Sequence, residues 1–119
     1  MPRFVVLRHD CPDGSWHYDW MIERADPGVD INRPLLTFRV GVLPTLADRF
    51  EAERIADHRR AYLEYEGGIS GGRGSVRRLV GGAATIEAFE PAGIVVLLDG
   101  SRRLVGVGEG SRWVFTRED

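Results

Sequence analysis

Lysine is missing from this 119-residue chain, and all 16 of its basic residues are arginines. A GC-rich coding sequence accounts for such a bias, and so does phosphate chemistry, because the guanidinium fork binds phosphate in a bidentate way. Cysteine occurs once, at Cys11, which excludes an intramolecular disulfide and sets a reducing, cytoplasmic environment as the expectation. No stretch approaches the ~18 consecutive apolar residues of a membrane span. The apolar run Phe4–Leu7 is too short for a secretory signal and meets Arg8, His9 and Asp10 at once, so no membrane association is expected. A large basic excess is also lacking. Eighteen acidic residues give a net charge of −2, which argues against bulk-charge coating of nucleic acid and leaves only a local patch for such contact.

What remains is an ordinary globular composition, 43% hydrophobic and 29% charged, of a length that suits one domain over 1–119. "RFVVLRH" at 3–9 reads as a strand and "CPDGS" at 11–15 as a turn, followed by a second strand through "WHYDWMIER" at 16–24. Residues two apart on a strand share a face, which places His17 with Asp19 and opposes them to Trp16, Tyr18 and Trp20, read as the core face. Antiparallel pairing would bring His9 to His17. Residues 25–34 read as a loop and "LLTFRVGV" as a strand. The spacing of Leu46, Phe50 and Ile55 predicts one or two helical turns within 46–56, and another short turn is expected early in 57–76. From Ser75 on, five short strands are expected, over 75–81, 84–90, 93–100, 102–108 and 112–118, with Asp99-Gly100 marking a hairpin. The fold class expected is mainly β, a compact antiparallel barrel with one or two short helical turns.

Two of the three histidines lie at the two ends of one turn. His9, His17 and Asp19 form a workable ligand set for a divalent metal with open positions left over; surface residues of a hairpin satisfied by water are the alternative. His58 sits in "DHRR", a neighbourhood suited to holding a phosphate and supplying a proton near neutral pH, with a lone exposed histidine as the commoner alternative. The glycines of "EGGISGGRG" do not make a nucleotide phosphate loop, because Arg73 and Gly74 stand where Lys and Ser or Thr are needed. A tight loop with Arg73 as a phosphate contact and a flexible connector remain as readings. Cys11 beside two histidines is read as incidental, since no third orienting group accompanies it.

Taken in order, "RFVVLRHD", "HYDWMIE", "DHRRAYLEYEGGISGGRGSV", "LLDGSRRLVGVG" and "RWVFTRE" resemble the 3′-phosphoesterase domain of bacterial DNA ligase D and its stand-alone relatives. The resemblance spans nearly the whole chain and implies a β-barrel with manganese-dependent activity on DNA or RNA 3′ ends. Such domains remove a terminal ribonucleoside to leave a 3′-phosphate, and then remove that phosphate. Carried over by motif, it implies His9, His17 and Asp19 as metal ligands, Mn2+ before Zn2+ or Co2+, and His58 against the scissile phosphate. Asp10 is expected to act with them by orienting an imidazole. Met21 replaces the family arginine that grips phosphate, and "TFRVGVLP" lacks a family lysine; Arg39, Arg54, Arg59 and Arg73 are the candidates to compensate. The expected partners are nucleic-acid 3′ ends, with separate ligase or polymerase repair proteins, around a monomer. A non-catalytic metal-binding relative, serving as a nucleic-acid or protein binding module, is the alternative. A phosphoesterase for a small phosphorylated metabolite is a third reading, in better accord with the acidic balance.

Overall fold

A computed structural model describes residues 1–119, and almost all of its regular structure is antiparallel strand. The strands are β1 (Arg3–Asp10), β2 (Trp16–Glu23), β3 (Leu35–Val40), β4 (Arg49–His58), β5 (Gly67–Gly68), β6 (Ser75–Glu90), β7 (Gly93–Leu98), β8 (Arg102–Glu109) and β9 (Arg112–Arg117). Their order is β1-β2-β3-β4-β9-β8-β7-β6-β5, and an additional β1–β6 pairing closes all but β5 into a ring. The expected barrel is therefore present. A single 3-10 turn, Arg60–Leu63, is the only helical element, and it lies where an early turn within 57–76 was expected.

Alternation sends one set of side chains into the ring. A 16-residue apolar cluster fills it, drawn from every ring strand. Phe115 lies at its centre, with ring centroids 5.0 Å from Trp20, 5.0 Å from Phe38 and 5.4 Å from Phe50. Such edge-on and stacked pairs add to burial by favouring one arrangement of the rings.

The unbroken apolar runs of β1 and β2 have a further cause. Phe4 and Val6 face the interior, while Val5 and Leu7 belong to a second cluster on the outer face with Met21, Leu35, Leu63 and Val76. The segment between β4 and β6 supplies Leu63, Tyr62 and Ile69 to that cluster, so it folds over the outside of β1–β3. Both faces of these strands are covered, which is why their sequences do not alternate.

Three expectations are corrected. Residues 49–58 are strand β4, not helix: Phe50 and Ala52 face the interior, Ile55 faces the outer cleft and Leu46 is exposed, so their spacing marks no single helical face. The two strands expected at 75–81 and 84–90 are one, the 16-residue β6, whose upper part pairs with β1 and whose lower part pairs with β7. Of the expected core face on β2, Trp20 is fully buried and Tyr18 packs against the interior, but Trp16 is 45% exposed, with the Arg8 guanidinium 4.4 Å above its ring.

Candidate metal centre

The β1–β2 turn sets the site's register. Cys11 N–H donates to the Ser15 carbonyl at 2.8 Å, and Asp13 Oδ1 accepts from the Ser15 amide at 2.9 Å. Gly14 adopts φ +87°, a conformation glycine takes without cost. His9 and His17 are consequently direct cross-strand partners, and Asp19 faces Leu7 two pairs further along, on the same face. All three continue the outer-face rows of Val5 and Leu7 on β1 and Met21 on β2.

Their ligating atoms converge. His9 Nδ1 lies 3.2 Å from His17 Nε2, His17 Nε2 lies 3.1 Å from Asp19 Oδ1, and His9 Nδ1 lies 3.5 Å from Asp19 Oδ2. Ligands held about 2.1 Å from one ion are spaced roughly 3.0–3.4 Å apart, so these separations match those around a single cation. His9 Nε2 stands 2.7 Å from the Arg73 carbonyl oxygen. A carbonyl only accepts, so Nε2 carries the proton and Nδ1 presents its lone pair to the centre. The Asp19 side chain is only 6% exposed, and its Oδ1 has no hydrogen-bond partner although it is close to His17. A buried carboxylate oxygen without a donor carries a large desolvation cost, which a bound cation removes.

Cys11 joins the cluster. Its Sγ lies 4.0 Å from His17 Nδ1, and the ligand atoms of His9, Cys11 and His17 fall within 4.8 Å of one another, a group able to hold a metal ion. Asp19 approaches the imidazoles more closely than the thiol does and is more deeply buried. Its carboxylate is therefore a further candidate ligand beside that triad.

His58 reaches the same face through an irregularity. Strict alternation would orient it with Phe50 and Ala52, into the ring. Between Thr37↔Ile55 and Leu35↔His58 the strand β4 carries one extra residue, a bulge that turns His58 outward. Thr37 Oγ1 donates to the Leu35 carbonyl and so accepts from His58 Nδ1–H at 3.0 Å, leaving Nε2 with the lone pair. The Tyr62 ring meets this imidazole edge-on at 5.3 Å.

Burial holds both His17 and His58 below the ordinary imidazole pKa. At His17 the Asp19 charge opposes that effect, and Arg39 and His9 add to it. At His58, Asp19 again opposes, with the Ala56 backbone and Asp57. Both rings are neutral at neutral pH, the form that ligates a metal or accepts a proton.

A cleft of about 110 Å³ joins these groups, lined by His9, Asp19, Arg39, His58, Tyr62 and Arg73 among others. Arg39 and Arg73 are thus at the centre. Arg39 is paired with Glu53 at 3.7 Å, and the Arg73 side chain is tied to Ser70. Arg59 lines an adjoining hollow of about 250 Å³ that shares Tyr62 and Ile69 with the cleft.

Two expected roles fall away. Arg54 lies over the Phe89 ring at 5.5 Å and lines a different hollow, because its position opposite Phe38 aims it away from the outer face. Asp10 points away from His9, as adjacent strand residues must, and accepts from Arg8 Nε at 3.1 Å; it orients neither imidazole. The group that orients His9 is instead the Arg73 carbonyl. Gly74 makes that contact possible: its φ is +91°, and a Cβ there would collide with the Asp10 carbonyl oxygen, so glycine lets the loop press on the end of β1. Thr37 and the Arg73 carbonyl carry no chemical signature in the sequence. No protein-family model matches the chain, and no curated protein matches it.

Proposed function

We propose that this protein is a divalent-metal-dependent phosphoesterase that processes 3′ ends of DNA or RNA in repair, removing a 3′-ribonucleoside or a 3′-phosphate. The observation that carries the reading is one cleft holding His9, Asp19 and the neutral His58 together with Arg39 and Arg73, with His17 completing the ligand set beside it. The ordered motifs resemble those of the ligase D phosphoesterase domain, and the substrate class is taken from that resemblance. His9, His17 and Asp19 would hold the cation, Mn2+ by that resemblance. Bound there, it supplies Lewis-acid stabilisation of charge on a phosphoryl oxygen.

The chain's own residues divide the remaining work. Arg39 and Arg73 attract the phosphate and balance its developing charge. His58 has its Nδ1–H committed to Thr37, so Nε2 is free to take a proton from attacking water as the P–O bond to the leaving oxygen breaks. The Tyr62 ring and the hollow beside Arg59 offer a surface for the terminal nucleoside.

A second reading has one observation in its favour. Met21, at the position of the family arginine, is buried in the outer apolar cluster and offers no grip on phosphate. A metal-binding module without turnover would then bind nucleic acid or protein.

The test uses a 5′-labelled DNA primer annealed to a template, ending in one ribonucleotide or in a 3′-phosphate, incubated with manganese beside the His17→Ala protein. Conversion of either end, abolished by the substitution, is the expected result. Intact ends with metal bound would replace the catalytic reading by the binding one.

A further inference from the structure

Cys11 is the one ligand-type side chain at the centre to which neither the motif resemblance nor the proposed reaction gives work. It opens the turn that carries His9 and His17 together, is half-buried, and its Sγ stands 4.0 Å from His17 Nδ1. Its backbone N–H is held by the Ser15 carbonyl. A thiolate and an imidazole on one tetrahedral zinc ion lie about 3.5 Å apart, from bond lengths of roughly 2.3 and 2.0 Å. Cys11 Sγ stands 4.0 Å from His17 Nδ1, the ring nitrogen turned away from His9 and Asp19, but the ligand atoms of His9, Cys11 and His17 all lie within 4.8 Å of one another, so placing the sulfur on their ion requires the thiol side chain to turn toward the centre.

A second, independent feature points to a cation at this place: the orphaned Oδ1 of Asp19, whose side chain is more than nine-tenths buried and directed at His17. Two donor sets therefore share His9 and His17. The carboxylate of Asp19 makes a harder set, suited to manganese, and the sulfur of Cys11 makes a softer one, suited to zinc-class ions.

We propose that Cys11 is a metal ligand of this centre, supplying a thiolate that gives the protein a marked preference for zinc-class, thiophilic cations over manganese. On ligation the thiol releases its proton to solvent and a metal–sulfur bond forms, with no change of oxidation state. The proposal rests on the metal centre and is independent of the phosphoester chemistry. Manganese can still support turnover while zinc binds more tightly.

Cobalt(II) is the probe. The whole protein, stripped with chelator, is titrated with Co2+ and followed by absorption, beside Cys11→Ser and His17→Ala. The expected result is a visible d–d spectrum together with a near-ultraviolet sulfur-to-cobalt charge-transfer band, the band alone being lost in Cys11→Ser. The same substitution should weaken Zn2+ binding by roughly tenfold or more while leaving Mn2+ binding within about twofold. A d–d spectrum without the charge-transfer band would overturn thiolate ligation and leave the His/Asp centre standing. No cobalt spectrum at all in the unaltered protein would overturn both.

Discussion

His9 Nδ1 and His17 Nε2 face each other at 3.2 Å across a directly paired position of β1 and β2, with the buried Asp19 carboxylate closing the triangle. Hydrogen bonding alone does not satisfy this triangle, since one carboxylate oxygen remains without a donor.

Removing either imidazole should therefore uncouple binding from folding. Both rings lie on the outer face, outside the apolar cluster of the ring, so His9→Ala and His17→Ala proteins should melt close to the parent without metal. The parent should gain about 2.7 kcal/mol at a metal concentration 100-fold over its Kd, and the variants almost none. Differential scanning calorimetry with and without Mn2+ or Zn2+ checks this.

Asp19→Asn should separate stability from function in the opposite sense. It removes a charge that is buried and incompletely hydrogen-bonded, so the metal-free variant should melt at or above the parent temperature. Metal should no longer raise that temperature. A metal-free variant several degrees less stable would show that the carboxylate supports the fold.

The histidines also fix a pH dependence. His17 and His58 have folded-state pKa values below the ordinary 6.5, chiefly through burial. The unfolded chain then binds protons first on acidification, and metal-free stability falls as pH drops from about 6.5 toward the folded values, with no such loss above. Urea midpoints at neutral and mildly acidic pH should show this slope, and His58→Gln should flatten it.

Gly74→Ala tests the contact that orients His9. The substitution forces a side chain against the Asp10 carbonyl at a positive φ, displacing the Arg73 carbonyl from His9 Nε2. Metal affinity should fall by about 10–100-fold, the range typical of lost ligand-orienting partners. Isothermal titration provides the readout.

Among the arginines, Arg39→Gln should raise KM for a 3′-phosphate end several-fold and reduce the salt dependence of turnover. Arg54→Gln, over Phe89 and outside the cleft, should alter neither.

The hairpin carrying His9, His17 and Asp19 was readable because its turn residues and strand alternation are local rules, and the register they imply is the one observed. His58 was legible by type but not by placement: a bulge in β4 sets its direction, and bulges leave no residue signature here. Strand β4 resembled a helix because Phe50 and Ile55, apolar for different reasons on opposite faces, happen to fall at near-helical spacing. Cys11 reads as incidental because no third orienting group accompanies it in the sequence, and only the closed hairpin shows its sulfur near His17. The loop carbonyl that holds His9 depends on a chain segment 64 residues away, beyond any local pattern.

The most direct measurement is the metal stoichiometry of the purified chain after chelator treatment and equilibration with a single divalent cation, followed by desalting and elemental analysis. The account predicts about one ion per chain in the parent and essentially none in His17→Ala. A parent chain that retains no metal, or a His17→Ala chain that retains as much as the parent, would contradict it.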